Sequence, residues 1–168
     1  MVNPFMSEPE DYFALFGLFR SYDLDRATLD QAYFTAQQRV HPDQVLSQQA
    51  GLRDRADELS AAINQAYGIL KNPLKRAIYF LHLQGIEFDQ SQASPALLNE
   101  MFLWRERAED CASRDEKRKL KVDVRDTLQD IQRALSQAFL DKDSPAALTL
   151  AQKMQYLQKL HDDLEEDL

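Results

Sequence analysis

A capping residue followed by proline stands ahead of three apolar helical patterns in this 168-residue chain, at Asn72-Pro73, Ser94-Pro95 and Ser144-Pro145. Proline at the first helical position loses no hydrogen bond, because that N–H has no intrahelical partner. The Asn or Ser before it can accept from the first turn, so each pair marks a helix start. Between these marks apolar residues recur at helical spacing, and no run alternates apolar and polar with β-branched enrichment. With only four glycines to interrupt them, these patterns predict an all-α protein.

A short helix is expected from Asp11 through Phe16, ending near Gly17. A second should start at an Asp25 cap, carry Leu29, Tyr33, Ala36 and Val40 on one stripe, and stop at His41 before Pro42. Pro42 to Leu52 reads as a polar loop, and a third helix carries Ala56, Leu59, Ile63, Ala66, Tyr67 and Leu70. The helix opened by Asn72-Pro73 holds Leu74, Ala77, Ile78 and Leu81 and ends at Gly85; Glu87 to Ala93 is a linker. Three long helices follow. The first has Leu97, Leu98, Met101, Trp104, Ala108 and Cys111. The middle one has Leu120, Val124, Leu128, Ile131, Leu135 and Phe139. The last, capped by Ser144, has Leu150, Met154, Leu157, Leu160 and Leu164. Short connections favour an antiparallel three-helix bundle for them. Residues 1–80 carry a net charge of −2 and residues 81–168 a net of −6. The composition therefore shifts near residue 86, dividing an N-terminal module, 1–86, from a C-terminal one, 87–168.

Several function classes are excluded or disfavoured. A net charge of −8 does not suit a broad nucleic-acid surface, which needs clustered Lys and Arg. No stretch has the roughly 20 apolar residues of a membrane span, and no secretory or transit signal is visible. A single cysteine, Cys111, allows no internal disulfide and no Cys-based zinc site, and is expected as a buried thiol. His41, His82 and His161 lie outside helical ligand spacing of one another, and there is no phosphate-binding glycine loop or nucleophile elbow. No catalytic residue, metal ligand or cofactor is therefore expected. The carboxylates Asp162, Asp163, Glu165, Glu166 and Asp167 read as a solvated helix end.

One constellation points to function. In His41-Pro42-Asp43 the proline breaks the second helix and fixes the turn. Asp43 is left as an anion near a helix C-terminus, where negative charge is unfavourable. Such a charge suits presentation to a cationic fork on a partner. His41-Pro42-Asp43 between two helices, followed by Ile63-Asn64-Gln65-Ala66-Tyr67, Leu70, Pro73-Leu74-Lys75-Arg76-Ala77 and Tyr79, resembles a J domain, the activator of DnaK-type chaperone ATPases. Asp11-Tyr12-Phe13-Ala14-Leu15-Phe16-Gly17-Leu18, with Tyr22, Leu24 and Asp25, resembles the HscB type, the co-chaperone of iron–sulfur cluster assembly. The extension Phe80-Leu81-His82-Leu83-Gln84-Gly85 suits the second module of that type.

The resemblance implies a J domain that stimulates an HscA-type ATPase through Asp43, with His41 and Pro42 shaping the turn and Arg26 and Arg39 contributing charge from the second helix. It implies a C-terminal bundle that holds an IscU-type cluster scaffold on Leu97, Leu98, Met101, Glu109 and Tyr156. It also implies a bacterial, cytoplasmic protein; a monomer is expected by default. The sequence departs from the type at Gln44, where a basic residue is usual, and at Phe102 and Arg105, where acidic ones are common. The first bundle helix has apolar residues at 97, 98, 101, 102, 103 and 104, more than one buried stripe needs. The surplus either packs or binds. The alternatives are a general J-domain protein recruiting another client, an all-helical hydrolase using His41 and Asp43, and a purely structural scaffold.

Overall fold

A computed structural model of the chain describes residues 11–40 and 51–167. Among these, secondary structure is wholly helical: α1 (Tyr12–Leu15), α2 (Arg26–Val40), α3 (Gly51–Leu70), α4 (Pro73–Leu83), a 3-10 turn (Gln90–Gln92), α5 (Pro95–Glu109), α6 (Arg114–Leu140) and α7 (Ser144–Glu166). The short α1, the α2–α3 pair and α4 are followed by a bundle of the three long helices α5, α6 and α7. The His41-Pro42-Asp43 turn lies outside the described residues. Helix α3 already begins at Gly51, inside the stretch expected to be loop.

The expected caps form at most starts. The Asp25 carboxylate accepts from the Thr28 backbone N–H at 2.8 Å, Asn72 Oδ1 from Lys75 N–H at 3.0 Å, and Ser94 Oγ from Leu97 N–H at 3.2 Å. At α7 the cap is Asp143 and not Ser144. Asp143 Oδ1 accepts from Ala146 N–H at 3.0 Å, while the Ser144 hydroxyl is 2.9 Å from Gln84 Oε1. The sequence reading also missed the capping box at α6. There Ser113 Oγ accepts from Glu116 N–H, and the Glu116 carboxylate accepts from Ser113 N–H at 3.0 Å.

Helix ends explain the glycine placement. Gly17 (φ 66°) and Gly85 (φ 75°) take the left-handed conformation just past α1 and α4. Beyond each, the chain reaches back: Leu18 N–H donates to Phe13 O and Ile86 N–H to Leu81 O, both at 2.9 Å. Lys142 does the same after α6 at φ 56°, with Asp143 N–H donating to Ala138 O at 2.9 Å. A lysine there bears the strain a glycine avoids.

The chain divides into two compact units, residues 1–76 and 77–168. The break between these compact units falls inside α4. The reason is local: Ala77, Tyr79 and Leu81 are buried, and the Phe80 ring meets Phe139 of α6 at 5.1 Å.

In the first unit, Leu29, Ala36 and Val40 of α2 and Ile63, Ala66 and Leu70 of α3 form the buried seam, with Tyr12 and Phe13 of α1 also buried. In the second, α6 runs antiparallel to both other helices. Lys117 pairs with Asp167 at 2.8 Å and Lys121 with Glu165 at 2.9 Å, joining the start of α6 to the end of α7. Arg107 of α5 reaches Asp123 of α6 at 2.6 Å. Leu120, Val124, Ile131 and Leu135 face inward from α6, and Ala151, Met154, Leu157 and Leu164 from α7. The acidic end of α7 is therefore partly neutralised by α6, beyond the solvated end expected. Lys121 holds the Glu165 carboxyl below its usual range by a direct hydrogen bond.

Candidate functional site

Two surfaces carry the residues singled out by sequence, one in each unit. The first is the α2–α3 hairpin that leads into the His-Pro-Asp turn. Its exposed side is tied by polar groups whose identities explain the Ile63-Asn64-Gln65-Ala66-Tyr67 segment. Ile63 and Ala66 are buried, while Asn64 and Tyr67 reach across to α2. The Tyr33 hydroxyl donates to Asn64 Oδ1 at 2.9 Å, and Gln37 Nε2 donates to the same oxygen at 2.8 Å. The Tyr33 and Tyr67 rings stack with centroids 4.2 Å apart.

Arg26 belongs to this network. Its Nε donates to Asp30 at 2.7 Å and its terminal nitrogen to the Tyr67 hydroxyl at 2.8 Å, and that hydroxyl donates to Asp30 at 2.9 Å. The hydrogen bond from Arg26 lowers the Asp30 pKa and raises that of Arg26, and the bond to Asp30 raises that of Tyr67. Arg26 is thus engaged within its own module. Arg39 is exposed in the last turn of α2. At the far end of the hairpin Arg76 is buried, donating to Leu70 O at 2.7 Å and lying 5.0 Å over the Tyr22 ring. Burial lowers the Arg76 pKa and pushes the Tyr22 phenol up to about 12.

The second surface is on α5 and α7. The surplus apolar residues of α5 separate into two sets. Leu97 and Met101 are 4% and 8% exposed and belong to the core, while Leu98, Phe102 and Leu103 are 53%, 57% and 50% exposed. The reason is helix rotation: positions 97 and 101 share the face covered by the other two helices, and 98 and 102 sit one residue further round. Leu98, Phe102, Arg105 and Glu109 then form one exposed row at spacing four, three, four.

Arg105 Nε donates to the Glu109 carboxylate at 2.9 Å, which raises the Arg105 pKa. Tyr156 of α7 is half-buried beside this row, and its hydroxyl donates to Met101 O at 2.8 Å; burial raises its pKa. Below Arg105 a cleft of about 630 Å³ opens between α5 and α7, lined by Glu109, Cys111, Tyr156, Lys159 and Asp163 among others. Cys111 is half-exposed there, not buried as expected, and its thiol donates to Arg107 O at 3.2 Å. It lies past the last residue of α5, beyond the reach of the buried stripe.

Of the five residues expected to form one patch, the fold brings Leu98, Glu109 and Tyr156 to the surface and places Leu97 and Met101 beneath it. Phe102, counted in the sequence among the surplus apolar residues of α5 and as a departure from the family's acidic residue, stands exposed four positions from Leu98. Among the described residues no three His, Cys, Asp or Glu side chains gather as a metal site, and no helix is long and apolar enough to cross a membrane.

Residues 93–165 match the family model described as the HSCB C-terminal oligomerisation domain. The chain is 32% identical over 163 residues to a co-chaperone protein HscB homolog of Cupriavidus taiwanensis, covering 94% of this chain and 93% of the relative. It is similar in structure to human co-chaperone protein HscB, with a TM-score of 0.85 and 26% identity over 95% of this chain and 84% of that one. Chaperone HscB from Vibrio cholerae superposes with a TM-score of 0.81 and 32% identity, covering 94% and 96% respectively.

Proposed function

The chain belongs to the HscB co-chaperone family, and on that premise we propose that it is an adaptor between an HscA/DnaK-type chaperone ATPase and an IscU-type iron–sulfur scaffold protein. It performs no chemistry itself and acts in the cytoplasm. The observation that carries this reading is the pairing, in one HscB-like chain, of the His41-Pro42-Asp43 sequence with an exposed apolar row on α5.

Asp43 meets a cation on the chaperone and favours the conformation nearer its hydrolysis transition state. Differential binding of a few kcal/mol accelerates hydrolysis a hundredfold or more. Arg39 adds charge at the end of the helix leading into the turn. Arg26, committed to Asp30 and Tyr67, acts by fixing the hairpin.

The scaffold docks on Leu98 and Phe102, with Tyr156 alongside and Arg105–Glu109 as a polar rim, the usual layout of a protein interface. Leu97 and Met101 support that surface from below. Phe102 shifts the contact from charge toward burial of apolar area. The matched C-terminal family is described by oligomerisation, and we keep the monomer as the working state of the adaptor; sedimentation of the free chain checks it.

The test is a steady-state ATPase assay of purified HscA-type chaperone and of DnaK, each with and without this protein. Asp43→Asn should abolish stimulation with helicity and melting nearly unchanged. If melting collapses as well, Asp43 is structural and the assignment fails. Capture of a spread of unfolded chains in place of the scaffold would make the protein a general J-domain co-chaperone.

A further inference from the structure

We infer that α2 grips the chaperone through an aromatic anchor, Phe34, and not through a basic face. This rests on the co-chaperone reading above and deepens it. Ala27, Gln31, Phe34 and Gln38 share one side of α2, turned away from the buried stripe of Leu29, Ala36 and Val40, and all four are exposed. None carries a charge. Of the three charged residues on α2, Arg26 and Asp30 satisfy each other at 2.7 Å and both bond Tyr67, which leaves Arg39 on the neighbouring flank. Electrostatic attraction from this face is therefore weak, and its one large group is apolar: Phe34 is 65% exposed.

The ring has an aromatic neighbour. Its centroid lies 6.1 Å from that of Tyr33 in an edge arrangement. Tyr33 in turn stacks on Tyr67 and donates to Asn64. An aromatic side chain has only two side-chain torsions to fix, so it loses little conformational freedom on binding, which suits a hot spot.

Its place in the chain argues for the occupant. Phe34 is six residues before Val40, the last described residue before the His-Pro-Asp turn, about 9 Å along a helix rising 1.5 Å per residue. Asp43 follows Phe34 by nine positions in the sequence, and a partner that seats Asp43 and covers on the order of 800 Å², a patch about 16 Å in radius, is the one this ring suits. A ring buried there removes apolar surface from water without cost in paired charge.

The experiment titrates ATPase stimulation of purified HscA-type chaperone with the full chain and with Phe34→Ala, Phe34→Lys and Asp43→Asn, with circular dichroism on each variant. Phe34→Ala should raise the half-maximal concentration about tenfold and leave maximal stimulation unchanged. Phe34→Lys should be as weak, since a charge does not replace buried area. Half-maximal stimulation by Phe34→Ala at the wild-type concentration, or by Phe34→Lys at or below it, overturns the anchor. Loss of stimulation in Phe34→Ala through unfolding is recognised by its spectrum, and Phe34→Lys, whose lysine extends from an exposed site, then decides. Stimulation that survives Asp43→Asn, or is absent in the wild type, removes the co-chaperone reading itself and the anchor with it.

Discussion

The α2–α3 hairpin and the α6–α7 pair both bury apolar seams and differ in what flanks them. Across the exposed side of the hairpin run hydrogen bonds and stacked rings: Tyr33 to Asn64, Gln37 to Asn64, Tyr33 on Tyr67, Arg26 through Tyr67 to Asp30. Between α6 and α7 lie leucine, valine, isoleucine, alanine and methionine side chains, with two ion pairs at one end. A hydrogen bond demands a particular donor and acceptor at a particular distance, whereas apolar packing accepts volume-conserving exchange. The first unit is therefore recognisable residue by residue, and the second mainly by its periodicity.

That contrast makes the bundle the place where truncation costs most. Leu135→Ala or Leu157→Ala, each replacing a fully buried side chain, should cost about 2–5 kcal/mol and lower Tm accordingly. A cost below about 1 kcal/mol in both would mean that the seam repacks freely. Leu97→Ala should behave in the same way, because it too is buried.

The first unit should show its own weakness in alkali. The Tyr22 phenol ionises near 10.0 when unfolded and near 12 when folded. Its contribution is therefore complete below pH 10 and falls away as pH rises toward 12, by at most about 3 kcal/mol. Urea midpoints across that window should fall more steeply for the wild type than for Tyr22→Phe; parallel curves would show that Tyr22 does not govern the loss.

On α5 the same contrast can be tested within one helix. Leu98→Ala with Phe102→Ala should weaken scaffold binding roughly tenfold in a calorimetric titration and leave Tm within a degree or two. Unchanged binding would move the docking surface elsewhere. The smallest effect is expected at the α6–α7 corner. Lys142→Gly removes the left-handed strain at φ 56° and should stabilise the bundle by about 1 kcal/mol, read as a rise in Tm.

Much of this was legible in the chain. Asp25, Asn72 and Ser94 cap as their residue types dictate, and Gly17 and Gly85 end helices where a positive φ is needed. The Ile63–Tyr67 segment was recognisable because four of its five members have a specific task, two buried and two bonded to α2. Three features were not legible. Asp143 displaced Ser144 as a cap because both residue types serve and only the approach of the preceding turn selects between them. Arg26 looked available but is held by Asp30 and Tyr67, the latter 41 positions away in sequence. Phe34 stood off the apolar stripe, yet that its ring is left exposed depends on where the other helices pack.

What the sequence by itself determined was the helical nature of the chain, the ends of most helices, and the side of each helix that must be apolar. These follow from caps, proline, glycine and spacing, which act within a turn or two. Which of six apolar residues on α5 are covered was decided only by the tertiary structure. A period of 3.6 sorts side chains into faces but leaves the rotation of the helix open. Contact with α6 and α7 sets that rotation, turning Leu97 and Met101 inward and Leu98 and Phe102 out to water.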